Sequence, residues 1–173
     1  TAILNLKSST KSFLMFQKIK KTKFPPENKP VLIWDGTCGF CKYWVTRWKL
    51  KTKDAIAYKT YQEAHKAFPD IPLKEFKKAS RLIEPDGSVY SGPDSAYRCY
   101  TYSDSLKINM HKWYINSRSF QYLSDKGYNF IAKNRPFMFK ITKLLLGSDT
   151  THFKPYWLYY ILTIILLVFI IFQ

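Results

Sequence analysis

The sequence predicts an α/β domain followed by extra C-terminal helices and one C-terminal transmembrane helix. Three observations predict it. A buried-strand pattern, Val31-Leu32-Ile33-Trp34, leads through Cys38-Gly39-Phe40-Cys41 into a helical pattern and then a second strand. An Asp86-Gly87 turn joins two short apolar segments. The final stretch from Tyr156 to Phe172 is 17 residues without a charge.

The expected organisation has four segments: a basic N-terminal segment and Pro-rich linker (1–30), a CxxC domain (31–127), a basic juxtamembrane helical segment (128–155) and the transmembrane helix (156–173). Residues 1–30 hold seven Lys and one Glu. Their interleaved Ile3, Leu4, Leu6, Phe13, Leu14, Phe16 and Ile19 suit either an interfacial helix on anionic lipid or a solvated basic tail. The longest apolar run there, Phe13 to Phe16, is too short for a secretory signal. Phe24-Pro25-Pro26-Glu27-Asn28-Lys29-Pro30 is a linker, because its prolines prevent regular pairing.

Val31–Trp34 then reads as a strand buried on both faces, broken by Asp35-Gly36-Thr37. From Cys41 to Leu50 the spacing predicts a helix with Trp44, Val45 and Trp48 on one face. Ala55–Tyr58 is the second strand, which makes a parallel βαβ unit with a right-handed crossover. Residues 61–79 predict one surface helix or two short ones, punctuated at Pro69 and Pro72. Strands near 80–83 and 88–90 flank the Asp86-Gly87 turn, and a helix follows near 95–102 with Asp94 or Ser95 as N-cap. Residues 106–146 are mostly helical in pattern, punctuated near Gly127 and at Asn134-Arg135-Pro136.

Tyr156, Trp157, Tyr159 and Tyr160 resemble an interfacial belt at the start of the last segment. Lys133, Arg135, Lys140, Lys143 and Lys154 precede it, so the positive-inside rule places the folded domain on the cytoplasmic or organelle-matrix side. The span is then a tail anchor, or the chain is a piece of a longer one.

The composition is 46% hydrophobic and 18% aromatic, which excludes a disordered chain. The net charge of +16 points to an anionic partner. No nucleic-acid motif is present, so the bilayer surface is the expected one. Three cysteines make a poor disulfide framework but a normal complement for a redox protein.

The chemistry is expected at the CxxC. A thiolate attacks a disulfide, so one cysteine needs a lowered pKa and a second must resolve the mixed disulfide. Cys38 falls at the start of a helix, where backbone N–H groups and the dipole favour the anion. It is the expected exposed nucleophile, and Cys41, one turn on, the buried resolving thiol. Gly36 and Gly39 permit tight loop geometry, and Phe40 shapes a substrate groove. Asp35 is either a base for Cys41 or a turn-forming carboxylate. A CxxC is also half a zinc site, but neither Cys99 nor His65, His111 or His152 stands at ligand spacing, so no metal and no cofactor is expected. Cys99 reads as a small buried hydrophobe. The three histidines read as surface residues. Arg135 is a candidate anion contact or helix cap.

The segment Asp35-Gly36-Thr37-Cys38-Gly39-Phe40-Cys41 resembles the signature of the DCC family of predicted thiol–disulfide oxidoreductases, named for its Asp and two Cys. The likeness continues through Asp86-Gly87-Ser88-Val89, Gly92 and Ser95-Ala96, and through Tyr128-Asn129-Phe130-Ile131-Ala132-Lys133-Asn134-Arg135. It covers about residues 31–146. It implies a thioredoxin-like fold and dithiol–disulfide exchange at Cys38 and Cys41. Thioredoxins carry a proline facing the CxxC just before the hairpin, and the corresponding place here, near Ala79-Ser80, has none.

The expected function is therefore a membrane-anchored oxidoreductase acting on a protein or small-molecule thiol or disulfide. The rival is an accessory subunit of a membrane protein complex whose thioredoxin-like domain has no redox turnover.

Overall fold

A computed structural model describes residues 15–103, 109–152 and 154–171. The reading of residues 1–14 as a basic helix or tail lies outside the described residues.

Strand β1 (Val31–Trp34) leads into helix α1 (Gly39–Thr52) and strand β2 (Ala57–Thr60). Short helix α2 (Tyr61–Ala64), a 3-10 turn (His65–Ala67) and α3 (Leu73–Lys78) lead to the hairpin β3 (Arg81–Ile83) and β4 (Val89–Ser91). Helices α4 (Pro93–Tyr100), α5 (Met110–Asn116), α6 (Arg118–Lys133), α7 (Arg135–Leu146) and α8 (Tyr156–Ile171) complete the chain. The sheet order is β2-β1-β3-β4. β1 runs parallel to β2, with Val31 opposite Ala57, and antiparallel to β3.

The alternation of side chains along β1 divides the core. Val31 and Ile33 pack with Ala64, Phe68, Ile71, Phe76, Ile83 and Val89 on the face covered by α2 and α3. Leu32 and Trp34 pack with Val45, Leu82 and Cys99 on the face covered by α1 and α4.

Boundaries differ from the sequence reading for local reasons. β2 starts two residues later than expected, because α1 runs to Thr52 and a turn with Lys53 at φ 49° intervenes before pairing with β1 begins. Gly92, not Asp94 or Ser95, is the N-cap of α4, which starts at Pro93. Pro suits the first helical position because it has no N–H to lose there. α6 runs through Gly127 without a break. His111 is buried rather than superficial, its Nδ1 2.6 Å from Asp94 Oδ1.

The expected C-terminal transmembrane helix, and with it the single-span membrane localisation, is overturned. α8 has 16 residues. At 1.5 Å per residue that is about 24 Å, short of the ~30 Å hydrocarbon thickness. Among the described residues no helix is long and apolar enough to cross a membrane. α8 instead leans on α7, where Tyr160 Oη donates to Leu144 O at 3.3 Å.

Residues 16–22 of the N-terminal segment pack onto the domain. Phe16 is 2% exposed. Gln17 N–H donates to Glu75 Oε2 at 2.7 Å, and Gln17 O accepts from the fully buried Arg81 at 3.1 Å. Lys20 O accepts from Val89 N–H at 2.9 Å, which covers the edge of β4. Gly92 makes this fit: at φ 62° it favours no side chain, and a Cβ there would fall 2.4 Å from the Phe16 ring. Gly92→Ala is expected to destabilise the protein by roughly 2 kcal/mol or more in urea unfolding.

Candidate active site

The site begins where β1 ends. Asp35 Oδ1 accepts from Thr37 N–H (3.2 Å) and Thr37 Oγ1 (2.9 Å), and Asp35 O accepts from Cys38 N–H (3.2 Å). These bonds turn the chain so that Cys38 becomes the N-cap of α1. Gly36 lies against β2, where a Cβ would meet Thr60 Cγ2 at 2.6 Å. Gln62, at the start of α2, holds the same turn from outside. Its Oε1 accepts from Gly36 N–H and its Nε2 donates to Asp35 Oδ1, both at 3.3 Å. A capping box between Thr60 and Glu63 sets the direction of that helix.

Cys38 Sγ accepts from Cys41 N–H at 3.2 Å and from the Cys41 thiol at 2.6 Å. Both cysteines are half-buried. The pKa of Cys38 is lowered to about 6. The Cys41 thiol that donates to it is the largest cause, with the Cys41 N–H and the Arg135 charge adding to it, while burial and Asp35 oppose. Cys41 moves up, first because its proton serves Cys38 and then because it is buried. One cysteine is thus prepared as thiolate and the other as thiol.

Arg135 joins this site from 100 residues away. It opens α7, where its Nη1 donates to Asp35 Oδ2 at 3.0 Å. Its Nη2 donates to Lys77 O (3.3 Å) and Lys78 O (3.2 Å) at the end of α3. Burial opposes its charge, but Cys41, Tyr128, Cys38 and Asp35 together raise its pKa. Asp35 therefore has both oxygens engaged, one in the turn and one with Arg135. Gly39 lies under the Phe139 ring, 3.0 Å from where its Cβ would be. Phe40 stacks edge-on against Trp44.

A cavity of about 400 Å³ opens beside Cys41. Phe40, Trp44, Trp48, Tyr97, Tyr100 and Tyr128 line it, with Asp35 and Arg135 also in its wall. Opposite, Ser80 N–H donates to Tyr128 Oη at 3.1 Å. Ala79 and Ser80 hold the place where a proline was sought, and no peptide bond is cis among the described residues.

Cys99 is elsewhere, fully buried in the core with its thiol pushed up by burial. Gln62, Ser80 and Tyr128 were missed as site residues. Helical spacing gave no signal for Tyr128, because it lies on α6 while Arg135 opens α7.

A β1–α1–β2 unit joined to a β3–β4 hairpin and α4, with CxxC at the first strand-to-helix turn, is the architecture of a thioredoxin-like protein. The family model described as DCC1-like thiol-disulfide oxidoreductase matches residues 32–141, and the chain belongs to that family. No curated protein and no solved structure matches the chain significantly.

Two variants separate the causes of the Cys38 shift. Cys41→Ala removes the largest one and is expected to raise the Cys38 pKa by more than about one unit, with Cys41→Ser, which keeps an O–H donor, partly restoring it. Arg135→Met removes a smaller contribution and leaves Asp35 unpaired near the sulfur. Both act upward, by roughly half a unit. Iodoacetamide alkylation against pH measures each.

Proposed function

We propose that the protein exchanges a dithiol for a disulfide at Cys38 and Cys41. The Cys38 thiolate attacks a substrate disulfide, Cys41 resolves the mixed disulfide, and the substrate leaves as two thiols. Run backwards, the same steps oxidise a dithiol. The observation that carries this reading is the asymmetry of the pair: Cys38 lowered to about 6, with Cys41 raised and donating to it. At neutral pH Cys38 is then mainly thiolate while Cys41 keeps the proton that the resolving step must release. Arg135 acts through charge, and through Asp35 it fixes the loop that presents Cys38. Asp35 serves as turn and ion-pair partner in this scheme, with proton transfer from Cys41 passing to solvent or to the leaving thiolate.

Stabilising the Cys38 thiolate stabilises the reduced protein, which makes the pair more oxidising. Its potential should therefore lie above the roughly −270 mV of thioredoxin. The test is alkylation against pH together with equilibration in glutathione and dithiothreitol buffers. The exchange rate should climb as pH rises through about 6 and level off above it. Cys38→Ser should abolish exchange, and Cys41→Ser should trap the mixed disulfide. A Cys38 inflection near the ordinary value of about 8.5, with no reversible two-electron step, would sink the proposal in favour of an accessory role without turnover.

A further inference from the structure

Enzymes that handle disulfides in proteins commonly hold the substrate chain by backbone pairing with an exposed edge or loop. The segment facing the CxxC here, between α3 and β3, has most of those groups already engaged. Ala79 N–H donates to Glu75 O at 3.3 Å, and Ser80 N–H to Tyr128 Oη at 3.1 Å. Lys77 O and Lys78 O accept from Arg135, and Ser80 O accepts from Gly92 N–H at 2.9 Å. A peptide that paired here would replace internal hydrogen bonds with equivalent ones and gain little net energy.

What the site offers instead is concave and aromatic. The cavity of about 400 Å³ has Cys41 in its wall, and Cys38 Sγ is 2.6 Å from Cys41 Sγ. That volume suits a small ligand. Asp35 and Arg135 are paired with one another at 3.0 Å, so the site has no uncompensated charge from them to hold an anionic substrate. Tyr128 lies in the cavity wall, as do Trp34 and Trp44, whose buried Nε1–H groups have no hydrogen-bond partner among the described residues. Ser95 Oγ donates to Gly92 O at 2.7 Å, so in the 2.8 Å bond between the two serines Ser80 Oγ is the donor. Tyr128 already accepts from Ser80 N–H, and among the described residues its own proton has only Ser80 Oγ, at 3.4 Å.

We infer that the substrate is a small apolar disulfide without a peptide backbone, carrying an aromatic or bulky aliphatic substituent that enters this cavity beside Cys41. The inference rests on the exchange chemistry proposed above and specifies its substrate class. The Cys38 thiolate forms a bond to the nearer substrate sulfur, the substrate S–S bond breaks, and one thiolate leaves. Cys41 then bonds to Cys38 Sγ and the second substrate sulfur leaves. The Cys41 proton goes to one leaving thiolate, and the other takes a proton from water. Two electrons pass from the protein dithiol to the substrate disulfide, giving a protein disulfide and two small thiols.

The test uses the reduced full chain with four probes: dibenzyl disulfide, bis(2-hydroxyethyl) disulfide, glutathione disulfide and insulin. Each rate constant is divided by that of dithiothreitol with the same probe, which removes intrinsic reactivity. The ratio for dibenzyl disulfide should exceed the other three by at least about tenfold, a difference of about 1.4 kcal/mol. Ala132→Phe, which puts a ring into the cavity, should erase that preference. Since that variant can misfold, unreactive benzyl alcohol is added to the wild-type protein as a second measurement. It should raise the KM for dibenzyl disulfide and leave kcat unchanged. A ratio for insulin or glutathione disulfide equal to or above that for dibenzyl disulfide overturns the inference and leaves the exchange reading standing. So does a folded Ala132→Phe that keeps the preference, or an unchanged KM with benzyl alcohol. No exchange with any of the four, together with an ordinary Cys38 pKa, brings down the exchange reading itself.

Discussion

Strand β1 lies inside the sheet, hydrogen-bonded to β2 on one side and β3 on the other, with both of its faces buried. That constraint sets everything near the CxxC. With side chains alternating, Val31 and Ile33 must meet α2 and α3 while Leu32 and Trp34 meet α1 and α4. A slip of one residue would exchange the two sets and bring Asp35 to the wrong face. Because the register is so determined, the turn after Trp34 always delivers Cys38 to the start of α1 and Asp35 to Arg135.

The lowered pKa of Cys38 depends on short-range bonds more than on the large positive charge of the chain. The net charge is +16, yet the causes that lower the pKa of Cys38 begin with the thiol of Cys41, and Arg135 ranks behind the Cys41 N–H. This order is physically sensible. Exposed lysines are screened by water and salt over about 10 Å, whereas a thiol one turn away stays in contact with the sulfur. The fold provides that contact through the N-cap geometry of α1, which has no acidic residue in its first turn to oppose it. Arg135 then has a double role. It supplies the nearby positive charge, and its fork ties the end of α3 to the turn at Asp35.

Features set by local spacing were legible in the sequence. Val31–Trp34, the helix after the CxxC and the hairpin around Gly87 each followed from neighbours in the chain. So did the family itself, through motifs whose residues the family model spans. Where the reading failed, a tertiary or geometric condition decided. The start of β2 waits on the turn at Lys53, and α4 starts where Gly92 can adopt a positive φ beneath Phe16. The last helix had the composition of a membrane span but falls short in length. The pairing of Arg135 with Asp35, and of Tyr128 with Ser80, spans 100 and 48 residues, so no periodicity could reveal either.

The helices beyond the hairpin complete the site. α6 brings Tyr128 to the backbone of Ser80, and α7 brings Arg135 to Asp35 and to the end of α3. Without them the loop opposite the CxxC would present free N–H and C=O groups to solvent, as a surface open to an extended chain. With them those groups are satisfied internally, and the space between α1, α4 and α6 is walled by aromatic rings. Tyr128 and Arg135 thus engage the backbone of that loop and also stand in the cavity wall. On the substrate class proposed above, the C-terminal helices shift a sheet-and-helix scaffold from backbone recognition toward shape and apolar contact, while the CxxC at the start of α1 stays where β1 puts it.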